Sequence, residues 1–122
     1  MKRKPVNITI PVEIPSLQRL RGLHETKRRR LLWEFMWEIR GAILRDPRGL
    51  RMPTVAKTIK SKVHILSHRR RLLSKASLEG GAEIAIEALA KLNFISLGEY
   101  SIKERPVEGE GKPRTDIQIN YL

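Results

Sequence analysis

Residues 54–76, TVAKTIKSKVHILSHRRRLLSKA, decide how the chain is read. Val55, Ile59, Val63, Leu66 and Leu73 recur on one side of a helical net, which predicts a helix from residue 54 to about residue 76. On that helix Lys57, Lys60, His64, His68, Arg71 and Lys75 step by three or four and form a single stripe on the solvent face. Like charges at those spacings repel along an isolated helix, so the stripe makes physical sense beside a polyanion that neutralises it. Lys62 and Arg69 add to the same basic segment.

The charge pattern extends outward from this stretch. Residues 1–75 hold 20 Lys/Arg against 5 Asp/Glu, whereas residues 76–122 hold 5 against 8, so a net charge of +12 is divided into +15 and −3. A surface that is merely solubilising mixes its signs, and segregation of this size points to nucleic acid, with Lys27, Arg28, Arg29 and Arg30 as a second basic patch. An anionic membrane is a poorer partner, because the basic segments lack a broad apolar face for insertion. No apolar run approaches the ~18 residues that cross a bilayer, and Met1-Lys2-Arg3-Lys4 leads into an alternating segment instead of a signal peptide, so a cytoplasmic protein is expected. The 122 residues suit one core. With no cysteine, disulfide staples and thiolate metal sites are excluded. Abundant charge with few Asn, Gln and Cys is a combination also seen in proteins from hot environments.

Upstream, Val6, Ile8, Ile10, Val12 and Ile14 alternate with polar residues as in a half-buried strand, and Pro11 places it at an edge. Leu17, Leu20 and Leu23 predict a short helix opened at Ser16. A long helix is predicted from Lys27 to about Leu44, with Leu32, Phe35, Met36, Ile39, Ala42 and Ile43 as its apolar face. Trp33 and Trp37 flank that face, which favours the core or a homodimer interface over base stacking. Asp46 to Gly49 reads as a turn and Met52-Pro53-Thr54 as a helix entry. Downstream, Leu78 to Gly81 reads as a break before a helix over 82–92 whose Glu79, Glu83 and Glu87 make an acidic face. Residues 94–103 and 115–122 read as two strands of a hairpin around a Gly/Pro loop at 105–114. The expected fold class is therefore mainly α with a small β component, an arm over 1–26 followed by a helical nucleic-acid-binding domain over 27–122.

The run Ala88-Leu89-Ala90-Lys91-Leu92-Asn93-Phe94-Ile95, a helix exit leading into a strand, a loop and a returning strand, resembles the end of a winged helix-turn-helix domain. That resemblance implies DNA binding by a recognition helix in the major groove with the hairpin as a wing. Two features depart from it. The Glu79, Glu83 and Glu87 row would repel phosphate, so the contact is assigned to residues 54–75 by electrostatics. Asn93 stands where the family often has glycine, and Asn tolerates the left-handed conformation that such an exit needs. The first 44 residues are similar to ribbon-helix-helix proteins, a likeness that would turn Lys4, Asn7 and Thr9 toward a groove.

No enzyme is expected. HExxH is absent, Lys62, Arg69 and Arg70 disfavour a cation at His64 and His68, and no P-loop or nucleophile elbow occurs, so neither metal nor cofactor is anticipated. The function read from the sequence is a DNA-binding regulator or replication accessory factor. The alternatives are a structural nucleoprotein, virion coat or chromatin-like, and an RNA-binding or ribosome-associated protein.

Overall fold

Alternation of Val6, Ile8 and Ile10 with Asn7 and Thr9 forms the first strand, β1 (Val6–Ile10), whose apolar residues are buried while the polar ones stay exposed. The computed structural model describes residues 5–45, 61–95, 99–109 and 111–121. Ser16 opens α1 (Leu17–Gly22), its hydroxyl accepting from the Arg19 N–H at 3.1 Å, and α2 (Glu25–Leu44) follows almost at once. The chain continues through β2 (Ser61–Arg69), α3 (Lys75–Lys91), β3 (Glu99–Pro106) and β4 (Arg114–Tyr121). The sheet order is β1-β4-β2-β3, with β4 antiparallel to both neighbours and β2 parallel to β3 across the α3 crossover.

Several expectations about the fold are corrected. Of the described residues 44% are helical and 31% lie in strands, so the chain is a mixed α/β protein and not a mainly α, winged-helix-like one. The two C-terminal strands do not form a hairpin wing, because β2 lies between β3 and β4 and bonds to both. Secondly, residues 61–69 of the predicted basic helix are the strand β2; residues 54–60, including Lys57 and Lys60, lie outside the described residues. The physical reason is a degeneracy of spacing. An interval of four residues is even, so it keeps His64 and His68 on one face of a strand as readily as on one face of a helix. Val63 and Ile65 also alternate with Lys62 and His64, and two flanking strands satisfy the backbone of β2 on both edges.

α2 and α3 lie against one face of the sheet, α1 packs on α3, and together they close a core of Ile10, Ile14, Phe35, Ile39, Ile84, Leu89, Phe94, Ile117 and Ile119, among others. Residues 6–20 contribute Val6, Ile8 and Leu20 to this same core, so the expected arm is built into it. β1 is an edge strand, as anticipated, but it stops at Ile10 before Pro11, so Val12 and Ile14 of the expected strand lie beyond it. The α3 exit carries a Schellman closure: Phe94 N–H donates to the Leu89 carbonyl at 3.0 Å, Asn93 N–H to Ala90 at 3.1 Å, and Asn93 takes φ 62°.

Gly80 and Gly81 do not break a helix. They lie inside α3, which starts at Lys75 behind the cap Ser74. A Cβ on Gly81 would overlap the Pro15 carbonyl, so the missing side chain is what lets α3 seat against the chain entering α1. At Gly80 the neighbour is the flexible end of Leu17. Gly81→Ala is therefore expected to cost about 3 kcal/mol, the upper end of overpacking, despite a helix-propensity gain of ~1 kcal/mol. Gly80→Ala should be close to neutral. Urea denaturation of the two variants side by side checks the contrast.

Candidate nucleic-acid interface

Among the described residues none covers the face of the sheet turned away from the helices, and strand periodicity decides what stands on it. The register lines up Asn7, Gln118, His64 and Ser101 in one row, Thr9, Asp116, Leu66 and Lys103 in the next, and Arg114, His68 and Arg105 in a third. The face is dished, with a trough of about 700 Å³ passing Thr9, His64, Lys103, Arg105 and Arg114. Asp116 organises its centre. Its carboxylate accepts from Thr9 Oγ1 at 2.9 Å, meets His68 Nε2 at 2.8 Å and lies 3.8 Å from Arg114 Nε, tying three strands together. His64 Nδ1 lies 2.7 Å from Ser101 Oγ, and Gln118 donates to Asn7 at 3.2 Å.

The third row is the cationic end. β2 finishes there and runs into the exposed Arg70, Arg71 and Leu72, while the exposed Arg105 and Arg114 flank His68 on the adjoining strands. With strands ~4.8 Å apart, those two arginines are rooted roughly 10 Å from each other. Lys103 stands one row in, and Lys112 precedes β4. Among the described residues, none of Arg70, Arg71, Lys103 or Arg105 is held in an ion pair. α3 begins at the same end, adding the partial positive charge of its first turn next to the exposed Lys75.

The residues anticipated from the sequence do not stay together. Lys62 and His64 stand exposed on the open face and His68 is there too, largely covered by Asp116. Arg71 belongs to the cationic end, and Lys75 starts α3. Arg69 is not an outward contact: it points to the helix side, is buried, pairs with Glu13 at 2.7 Å and donates to the carbonyls of Ile14 and Arg71. Of the second patch, Arg28 binds Glu87 of α3 at 2.8 Å and Arg29 binds Glu25 at 2.7 Å, while Lys27 and Arg30 are exposed on α2, across the helical layer from the open face. The continuous stripe is therefore replaced by a sheet-end cluster. Lys103, Arg105, Arg114 and Arg70, which complete this cluster, are not among the residues anticipated from the sequence. Their signal was present as alternation, Ser101-Lys103-Arg105 against Tyr100-Ile102-Glu104, which puts both cations on the outward side.

The acidic row is also accounted for within the chain. Glu87 holds Arg28, and Glu79 and Glu83 face Tyr100, whose hydroxyl donates to the Glu79 carbonyl at 3.3 Å. Burial, then Glu83 and Glu79, hold the Tyr100 phenol above its ordinary pKa. Among the described residues no group of three or more His, Asp or Glu side chains is placed to hold a metal ion, and no helix is long and apolar enough to cross a membrane. No protein-family model matches the chain, and none of the curated proteins compared with it does.

Proposed function

We propose that the chain binds nucleic acid, duplex DNA in the first place, through the cationic end of its open sheet face. The observation that carries this reading is the convergence of Arg70, Arg71, Arg105 and Arg114 from three chain segments onto one edge, with Lys103 behind them. Guanidinium groups are suited to phosphate because their planar forks match its oxygens. Concentrating like charge without partners costs stability, a cost that a polyanion removes. The reading includes a homodimer joined through α2, where Trp33 and Trp37 are exposed.

Of the roles open to such a protein, the geometry favours a structural nucleoprotein that grips the backbone without reading sequence. Among the described residues the outward face presents arginines and lysines at a sheet end, carries no Phe, Tyr or Trp for base stacking, and offers no outward basic helix to a groove. Neutralising ~6 phosphates predicts a loss of affinity of ~10³ between 50 and 200 mM salt, measured by fluorescence anisotropy on a labelled duplex. A slope near zero would exclude a polyelectrolyte partner. Uniform protection in footprinting is expected, and protection confined to one sequence would restore the regulator reading.

A further inference from the structure

The strongest unexplained feature outside the sheet is the outer side of α2. Trp33 is 66% exposed, Trp37 71% and Leu44 73%, on a helix that buries Leu32, Phe35, Ile39 and Ile43 on its other side. Arg30, Trp33, Trp37, Arg40 and Leu44 are spaced three, four, three and four, which is the seam of a helix that packs against another helix. Beside the seam is a hollow lined by Trp37, Glu38, Arg40, Gly41, Leu44 and Arg45.

We infer that this seam is occupied by the same seam of a second copy, running antiparallel, with the two-fold axis between Trp37 and Arg40. The inference rests on the homodimer reading above and specifies its contact. Charge chooses the direction. In a parallel pair Arg30 would face Arg30 and Arg40 would face Arg40, like charges in contact. In the antiparallel pair Arg30 is carried far from its own copy, and the two Arg40 residues, about 4.5 Å apart along the axis, each lie over the Trp37 ring of the other copy, a cation–π arrangement that stands between them. Trp33 falls opposite Leu44, over the hollow at Gly41. Glu34, exposed and without an ion pair among the described residues, reaches the other copy between Gly41 and Arg45. The size is adequate as well: four indoles at ~150 Å² each cover about 600 Å², and Leu44 with the arginine stems carries the total toward the ~1,000 Å² of a specific interface.

The absence of cysteine makes the geometry directly testable. Sedimentation equilibrium of the full chain is expected to show a dimer that becomes a monomer in Trp33→Ser/Trp37→Ser, two exposed positions whose replacement leaves the core intact. Mixed Glu34→Cys and Gly41→Cys chains should cross-link under mild oxidation, while neither alone cross-links to itself. A wild-type monomer at ~100 μM overturns both the dimer reading and this inference. A dimer indifferent to the tryptophan changes, or self-cross-linking of Glu34→Cys alone, overturns the antiparallel seam while leaving a dimer. Tryptophan quenching by single-stranded oligonucleotide on a monomeric chain would instead assign the stripe to bases.

Discussion

Arg69→Met should lower the stability of the fold by about 3 kcal/mol. The guanidinium is the centre of a buried network: its head meets Glu13 on the segment leading to α1, and its other donors serve the carbonyls of Ile14 and Arg71. Removing one member of a buried pair costs about 3–5 kcal/mol because the remaining groups lose their partners. Glu13 is 37% exposed, so water recovers part of its share and the lower end of that range applies. For a chain of this size the loss corresponds to a melting point lower by roughly 10–15 °C, read by calorimetry. Below that temperature the variant should bind duplex DNA as wild type does. A variant with an unchanged melting point and weakened binding would return Arg69 to the outward surface on which the basic run of residues 69–71 first places it.

Replacing Arg70, Arg71, Arg105 and Arg114 together by alanine should do the reverse. The four side chains are exposed, and Arg114 alone approaches a carboxylate, at 3.8 Å, so stability should change little. Affinity should fall on the order of 10³ at 0.15 M salt, since each phosphate contact contributes a factor of about five there, and the logarithmic salt slope should drop by ~3.6. Lys27→Ala/Arg30→Ala, on the helical layer, should change affinity less than about threefold if the sheet end carries the contact. Anisotropy titrations at three salt concentrations measure both quantities. Equal losses in the two variants would mean that charge acts as a diffuse field and that no local site exists.

Those two expectations separate what the sequence shows from what only the fold supplies. The strand β1, the Ser16 cap, the apolar face of α2, the alternation of β4 and the left-handed exit at Asn93 all follow from local patterns that admit one reading. Residues 61–69 do not, since Val63 with His64 and His68 satisfies a period of two and a period near four together. What decides is pairing with β3 and β4, residues 37 to 60 positions away, and no local window contains it. Gly80 and Gly81 mislead for a related reason. Glycine punctuates a helix unless another backbone approaches closely, and here the Pro15 carbonyl does. The candidate site inherits the error, because a strand sends alternate residues to opposite faces. Arg69 turns inward while His68 and Arg70 do not, and the cations of β3 and β4 arrive beside them only once the sheet is assembled.

The central claim, that the arginine-bearing end of the open sheet face receives the phosphate backbone, is tested most directly by amide chemical-shift mapping during titration with a short DNA duplex. The account predicts that shifts concentrate at residues 70–71, at 103–105 in β3 and at 112–116 around the start of β4, with residues 27–44 of α2 unmoved. Shifts centred on 27–30, with the sheet end silent, would contradict it.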